Sequence, residues 1–502
     1  MKVKAHLFSL SKNPDSLLAA LAGFLLVLVF TKHSGIGISP DSVTYLSVAR
    51  NISSGAGFRS FDGLPVVDFP VGYSLLLSFI ATVTRQDPLV NAPWLNGILF
   101  GILLYTSGSI MNGFSNPNRW YKRILLLCIL FNPALQEVYS MLWSETVFLV
   151  LTLFFMVCIT NYLRSLSIKW LSLTILVCAL SSVIRYAGIF LIPLGTVLIF
   201  FNPPASWRRR ISHVSWFVSL SGSLFLVNSI RNYQMTGFLT GQRQKGDLGI
   251  LKILKFFGTV FCDWLQINMG SAIAVSMGLI VLIVFLVSLL FALKQTRSFS
   301  SLEFIASATG LSFSIFMMLS SFLTRYEQFS NRLLSAVFIP LLWSLSWWIP
   351  GWIARFSSRK QWIVGLATLA LTAWFMNRQL AADYEYYDGV KDAGMPGYTE
   401  DEFTGSGITQ FVEKNKGIFD RKYPVYSNAG DAVYFITGLP AFQLPSVVFP
   451  EKLHRYYEKN NSYLVWFRDL DNPEMPVLDS ILRNKNMELI KQLPDGAVYF
   501  SR

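Results

Sequence analysis

Charge is what this chain has least of. Only 14% of its 502 residues are Asp, Glu, Lys or Arg, where a soluble globular protein carries about 25%. A surface facing water needs more than that, so the deficit points to lipid as the solvent for much of the chain. Cysteine is nearly as scarce. Three of the four lie inside apolar runs (Cys128, Cys158, Cys178) and Cys262 stands alone. There is no CxxC pair and no cysteine within 381–502, which excludes a disulfide framework there. The four histidines are scattered, so neither a zinc site nor a histidine relay can be argued. A Walker motif, a GxGxxG loop and internal repeats are all missing.

Apolar residues fill the space: 53% of the chain is hydrophobic and 15% aromatic. Apolar stretches run roughly 17–31, 91–112, 122–138, 145–163, 168–184, 186–201, 214–230, 271–293, 302–322, 333–349 and 362–380. A bilayer core takes about 20 residues per helix, fewer where flanking side chains snorkel. The sequence therefore predicts a polytopic α-helical membrane protein with about eleven spans.

The charge that is present is sorted. Residues 381–502 hold 18 acidic and 13 basic side chains, and the remainder 11 acidic and 29 basic. The net +13 thus reads as cationic cytoplasmic loops joined to an acidic exposed domain, with no nucleic-acid partner. With Lys2, Lys4 and Lys12 in the cytoplasm, alternate loops bring in Arg119, Lys122 and Arg123, then Arg164 and Lys169, then Arg208 to Arg210. Lys294 and Arg297, and Arg355, Arg359 and Lys360, complete the set. This arrangement sends the C-terminal domain outside and predicts an integral membrane protein. It leaves long external loops at about 32–90 and 231–270. The apolar stretch from Tyr73 to Thr84 is too short to span and is expected to lie on the outer membrane surface. No clear A-x-A site follows the first apolar run, so it is read as a retained helix.

From Ala381 the grammar changes. Tyr423 to Ser427, Tyr463 to Phe467 and Ala497 to Phe500 read as strands, with a short helical run ending near Ile436. A small α/β domain over 381–502 is expected, behind a membrane domain over 1–380.

With so few acids in the first 380 residues, each can be weighed. Asp41 follows Ser39 and Pro40. Those residues start a helix well, and a helix-capping role is the stronger reading of them alone. The sharper reading is a general base where membrane meets water. Glu145 follows Ser144, and a capping serine with an acid in the first turn is again a sound reading. Both acids land at the outer face, as a catalytic pair or a carboxylate–metal site requires. Arg185 breaks an apolar run and must pair or reach the interface. Arg231, Arg243, Arg325 and Arg332, with Glu327, fall in later external segments. Arginines at one such boundary can grip a phosphate bidentately, although a solvated loop charge is the commoner role for any one of them.

A set of phrases, in order, gives these residues a context. They are Pro40-Asp-Ser-Val-Thr-Tyr-Leu-Ser-Val-Ala-Arg-Asn-Ile52, Gly55-Ala-Gly-Phe58, Phe69-Pro-Val-Gly-Tyr73, Trp143-Ser-Glu145 and Ile184-Arg-Tyr-Ala-Gly188. Ile230-Arg-Asn-Tyr233, Thr236-Gly-Phe-Leu-Thr-Gly-Gln-Arg243, Asn331-Arg-Leu-Leu334 and Val425-Tyr-Ser-Asn428 follow. The arrangement resembles the GT-C superfamily of membrane glycosyltransferases, in particular the bacterial protein-mannosyltransferase-like and RgtA/B/C/D-like families. The resemblance implies inverting transfer of a hexose or pentose from a polyprenyl-phosphate donor to a lipid, glycan or protein acceptor. It places the catalytic acid of the first external loop at Asp41 and the second external acid at Glu145. Many members carry two adjacent acids at the first position, where this chain has Asp41-Ser42. Arg243 and Arg332, with Arg231, Arg325 and Arg185 behind them, are the expected phosphate ligands. A divalent cation, Mg or Mn, on Asp41 and Glu145 is the alternative way to neutralise the leaving phosphate. Tyr45, Tyr73 and Tyr186 are expected to contact sugar or acceptor. A transporter would explain the spans equally well, but no paired broken helices or repeated halves are found. A membrane scaffold with the tail as a binding module would tolerate Asn at position 41.

Overall fold

The computed structural model describes residues 13–267, 270–325, 328–470, 472 and 474–502. Lys2, Lys4, Lys12 and Glu327 lie outside the described residues, as do the side chains of Arg359 and Lys360. In chain order the first helices are α1 (Pro14–Phe30), α2 (Pro40–Ser53), α3 (Gly72–Thr84), α4 (Pro88–Met111), α5 (Arg119–Leu130), α6 (Pro133–Ser140) and α7 (Glu145–Ser165). They are followed by α8 (Ile168–Ile184), α9 (Leu191–Phe200), α10 (Trp207–Ser221), α11 (Ser223–Thr236) and α12 (Ile250–Trp264). Then come α13 (Ser271–Thr296), α14 (Leu302–Leu323), α15 (Asn331–Ser346), α16 (Ile349–Ile353) and α17 (Ser358–Ala393). The C-terminal part adds α18 (Asp401–Gly405), α19 (Gly407–Lys414), β1 (Val425–Ser427), α20 (Gly430–Thr437), β2 (Ala441–Gln443), α21 (Pro450–Glu458), β3 (Ser462–Phe467), α22 (Leu478–Asn484), β4 (Glu488–Leu493) and β5 (Gly496–Ser501).

Each of the eleven apolar stretches falls on helix. Among the described residues six helices are long and apolar enough to cross a membrane, with shorter apolar helices besides. The stretch 122–138 is broken: Pro133 starts a new helix, and the Asn132 side chain caps it by accepting from the Leu135 N–H at 3.0 Å. The region 231–270, expected to be loop, contains α12. Ile253, Leu254, Phe257 and Phe261 recur at helical spacing and are buried, which draws the segment onto α13. The helix α3 has 13 residues, about 20 Å at 1.5 Å per residue, short of the roughly 30 Å of a bilayer core.

The chain divides into two compact units. The first takes in 1–30, 67–73 and 94–388. Its packing suits a lipid surround, where small residues and buried hydroxyls hold helices together. A Cβ on Gly258 would meet the Ala274 backbone, so α12 and α13 touch along their main chains. Ser307 on α14 bonds Ser288 on α13 and Ser344 on α15, each at 2.9 Å, and the Trp347 indole donates to Ser288 at 3.0 Å.

The second unit takes in 31–66, 74–93 and 389–502. Its sheet has the order β2-β1-β3-β5-β4. β1 runs parallel to β2 and β3, while β5 runs antiparallel to β3 and β4. Two of these strands, β2 and β4, were not among those expected. The segment after α17 is zipped onto the one before α2: Tyr398 N–H donates to the Ile38 carbonyl at 2.8 Å, and Met395 N–H to Ser34 Oγ at 2.7 Å. α2 and α20 pack together within this unit.

Candidate active site

Three helix ends meet around one carboxylate in the first unit. Glu145 opens α7, Arg185 closes α8, and Arg332 is the second residue of α15. Glu145 is 2% exposed. A carboxylate buried that deeply must be paired, and it has two partners. Arg185 Nη1 lies 2.5 Å from Oε1, and Arg332 Nε bonds the same oxygen. Arg185 also donates to Ser144 Oγ at 3.3 Å. The Arg332 guanidinium stacks over the Trp143 ring, 4.3 Å from its centroid. Glu137 on α6 sits within electrostatic reach of Arg332 and Glu145. Arg185 owes its place to Gly188. The chain folds back there so tightly that a Cβ would strike the Ser181 carbonyl.

The other predicted arginines hold a separate stretch of the same unit. Arg243 donates to the Asp68 carbonyl at 2.9 Å and to the Thr240 carbonyl at 3.1 Å. Arg325 donates to Gln244 Oε1 at 2.8 Å, and Arg231 to Asn232 Oδ1 at 3.0 Å. Gly241, at φ +80°, lets this segment press against Asp68. The Tyr186 hydroxyl donates to the Val67 carbonyl at 2.9 Å and accepts from Asn232 at 2.9 Å. Tyr73 is fully buried here, and Tyr45 is buried in the second unit.

Asp41 belongs to the second unit, at the start of α2. The start is rigid. Ser42 N–H donates to Ser39 Oγ at 3.4 Å, Ser39 N–H donates to Ser42 Oγ at 3.1 Å, and Pro40 takes the first helical position. The capping role expected of this phrase is therefore met by the serines, with Asp41 in the first turn. A residue that the sequence reading passed over stands near it. Asp431 is the second residue of α20, is 6% exposed, and lies within electrostatic reach of Asp41. The Tyr398 hydroxyl donates to its Oδ2 at 2.7 Å. Burial pushes the Asp431 carboxyl above the ordinary carboxylate range. The Tyr398 bond and the N–H groups at the helix start oppose that, and the like charge of Asp41 adds to it. Its signal in the sequence was its position just past a strand that ends at Ser427, since parallel strands present their sites beyond their carboxyl ends.

Among the described residues, no group of three or more His, Cys, Asp or Glu side chains is arranged to hold a metal ion. Glu145, already paired with two cations, does not fit the part of a ligand to a dication.

No family model and no curated protein matches this sequence. Solved structures match the fold. ArnT from Cupriavidus metallidurans bound to undecaprenyl phosphate aligns with a TM-score of 0.58 at 12% identity, over 96% of this chain and 97% of that one. The archaeal oligosaccharyltransferase AglB from Archaeoglobus fulgidus, in complex with an inhibitory peptide and a dolichol-phosphate, aligns with a TM-score of 0.57 at 9% identity. That match covers 92% of this chain and 70% of AglB. This is the GT-C fold. The expected architecture, a GT-C-like helical membrane protein with a small C-terminal α/β part, holds. At such identities the likeness to these structures lies in architecture, and the roles of side chains rest on the geometry above.

Proposed function

We propose that this chain is an inverting membrane glycosyltransferase that moves a sugar from a polyprenyl-phosphate donor to a hydroxyl of a lipid, glycan or protein. The carrying observation is the fold match over nearly the whole length of both chains with a protein solved with undecaprenyl phosphate bound.

The acceptor oxygen attacks the anomeric carbon on the face opposite the phosphate. The new C–O bond forms as the old one breaks, its electron pair leaves with the polyprenyl phosphate, and the acceptor proton passes to the Asp41 carboxylate. The rigid start of α2 supports this role, because a base must be held still to take a proton in the transition state. In the first unit, Arg185 and Arg332 are the cations suited to hold the donor's phosphate. Glu145 holds both arginines in place, a positioning role, where the sequence reading joined it with Asp41 as a catalytic pair or a carboxylate–metal site. Arg243, engaged with two backbone carbonyls, fastens the segment from Thr236 onward.

The test is incubation of the purified chain in nanodiscs with radiolabelled polyprenyl-phosphate hexoses and pentoses. Label moving onto an acceptor, with release of polyprenyl phosphate, supports the proposal. Donor that crosses the bilayer with its sugar bond intact would show a transporter.

A further inference from the structure

The second unit contains a cavity of about 270 Å³. It lies at the carboxyl end of β3, which runs parallel to β1 and antiparallel to β5; Phe467 ends the strand and Asp469 follows. Open parallel sheets present their ligand sites at this end. Three rings form its apolar wall. Phe403 stacks on Phe467 at 6.0 Å and 27°, and Tyr398 packs on Phe403 at 4.9 Å. Four carboxylates, those of Glu400, Glu402, Asp469 and Asp495, share the lining. Asp495 is held in place by the Ile408 N–H, at 3.2 and 3.1 Å from its two oxygens. Among the described residues that line the cavity there is no Lys, Arg or His.

We propose that this cavity binds a single sugar ring that carries no negative charge, and that the ring belongs to the acceptor. Rings offer the flat apolar face that the C–H face of a sugar packs against. Carboxylates accept hydrogen bonds from its hydroxyls and attract any amine it bears. The volume falls just short of the roughly 300–1,000 Å³ of sites for drug-sized ligands, which suits one ring. A uronate or phosphorylated sugar would bring an anion against four carboxylates. The link to chemistry is Tyr398, which lines the cavity and bonds Asp431, the neighbour of Asp41. Assignment of the ring to the acceptor rests on the transferase reading above; binding of the ring does not.

The experiment therefore uses no donor. Saturation-transfer NMR on the full chain in nanodiscs compares methyl glycosides of a neutral hexose, an amino sugar and a uronic acid. The neutral and amino glycosides should bind, and the uronate at least tenfold more weakly. Phe403→Ala should lower binding at least tenfold. Glu402→Lys changes an exposed side chain and cannot unfold the unit by cavity formation. It should weaken the amino glycoside and strengthen the uronate. Uronate binding as tight as the neutral ring, or glycoside binding unmoved by both substitutions, would overturn the proposal. Glycoside binding in a chain that transfers no label would leave the site standing and remove only its acceptor role.

Discussion

Replacing Glu145 by Gln separates two accounts of that residue. Gln keeps the shape and an acceptor oxygen but removes the charge that Arg185 and Arg332 share. Those guanidinium groups are only 16% and 17% exposed, so water replaces little of what is lost. At an effective dielectric of about 20, charges about 4 Å apart attract by about 4 kcal/mol. Stripping one partner from a buried pair costs about 3–5 kcal/mol. Glu145→Gln should therefore lose stability by about that much and bind the polyprenyl-phosphate donor more weakly. The assays are thermal melting in detergent and donor affinity in nanodiscs. A second change sharpens them: Arg185→Gln added to Glu145→Gln removes one stranded cation and should recover part of the lost stability, so the two effects are not additive. If Glu145→Gln melts and binds donor like the wild type yet turns over nothing, Glu145 is a proton-transfer group and the positioning account is wrong.

Arg332→Lys keeps the charge but loses the planar fork and its stacking on Trp143, so donor affinity should fall about tenfold or more, while Arg243→Lys should leave it within about twofold; equal effects in a binding titration would erase the distinction between the two arginines. Gly188→Ala should push the turn after α8 off Ser181, displace Arg185 and lower both melting temperature and donor affinity, whereas wild-type values in both would show that the turn accommodates a methyl. Asp431 holds its proton in the folded chain at a pH where the unfolded chain has lost it, so its contribution makes stability fall as pH rises from 3.8 through the raised folded value; Asp431→Asn should flatten that part of a melting-temperature profile against pH, and an unchanged slope would count against a buried, proton-retaining Asp431.

Much of the architecture was readable because its signals are local. Apolar length located the helices, and β-branched and aromatic runs such as Tyr463 to Phe467 located central strands. What escaped depends on partners distant in sequence. β4, whose residues Glu488 to Leu493 are mostly exposed, pairs with β5 at the sheet edge and has no hydrophobic run to announce it. The helix α12 was readable from its period but was masked by its place between two stretches that look like loop. In the candidate site, Glu145, Arg185 and Arg332 were each singled out, yet their meeting on one oxygen joins positions 187 residues apart and no spacing rule supplies it. Asp431 was hidden for the opposite reason. It lies in an acidic domain where one more carboxylate draws no notice, and only its burial beside Tyr398 marks it.

The central claim is that Asp41 takes the acceptor's proton as the sugar leaves its polyprenyl phosphate. Single-turnover transfer of radiolabel, comparing wild type with Asp41→Asn at saturating donor, tests it most directly. The account predicts transfer by the wild type and a rate lower by about a hundredfold or more in Asp41→Asn, the usual scale for loss of a general base, with donor affinity kept. Transfer by Asp41→Asn at the wild-type rate would contradict it.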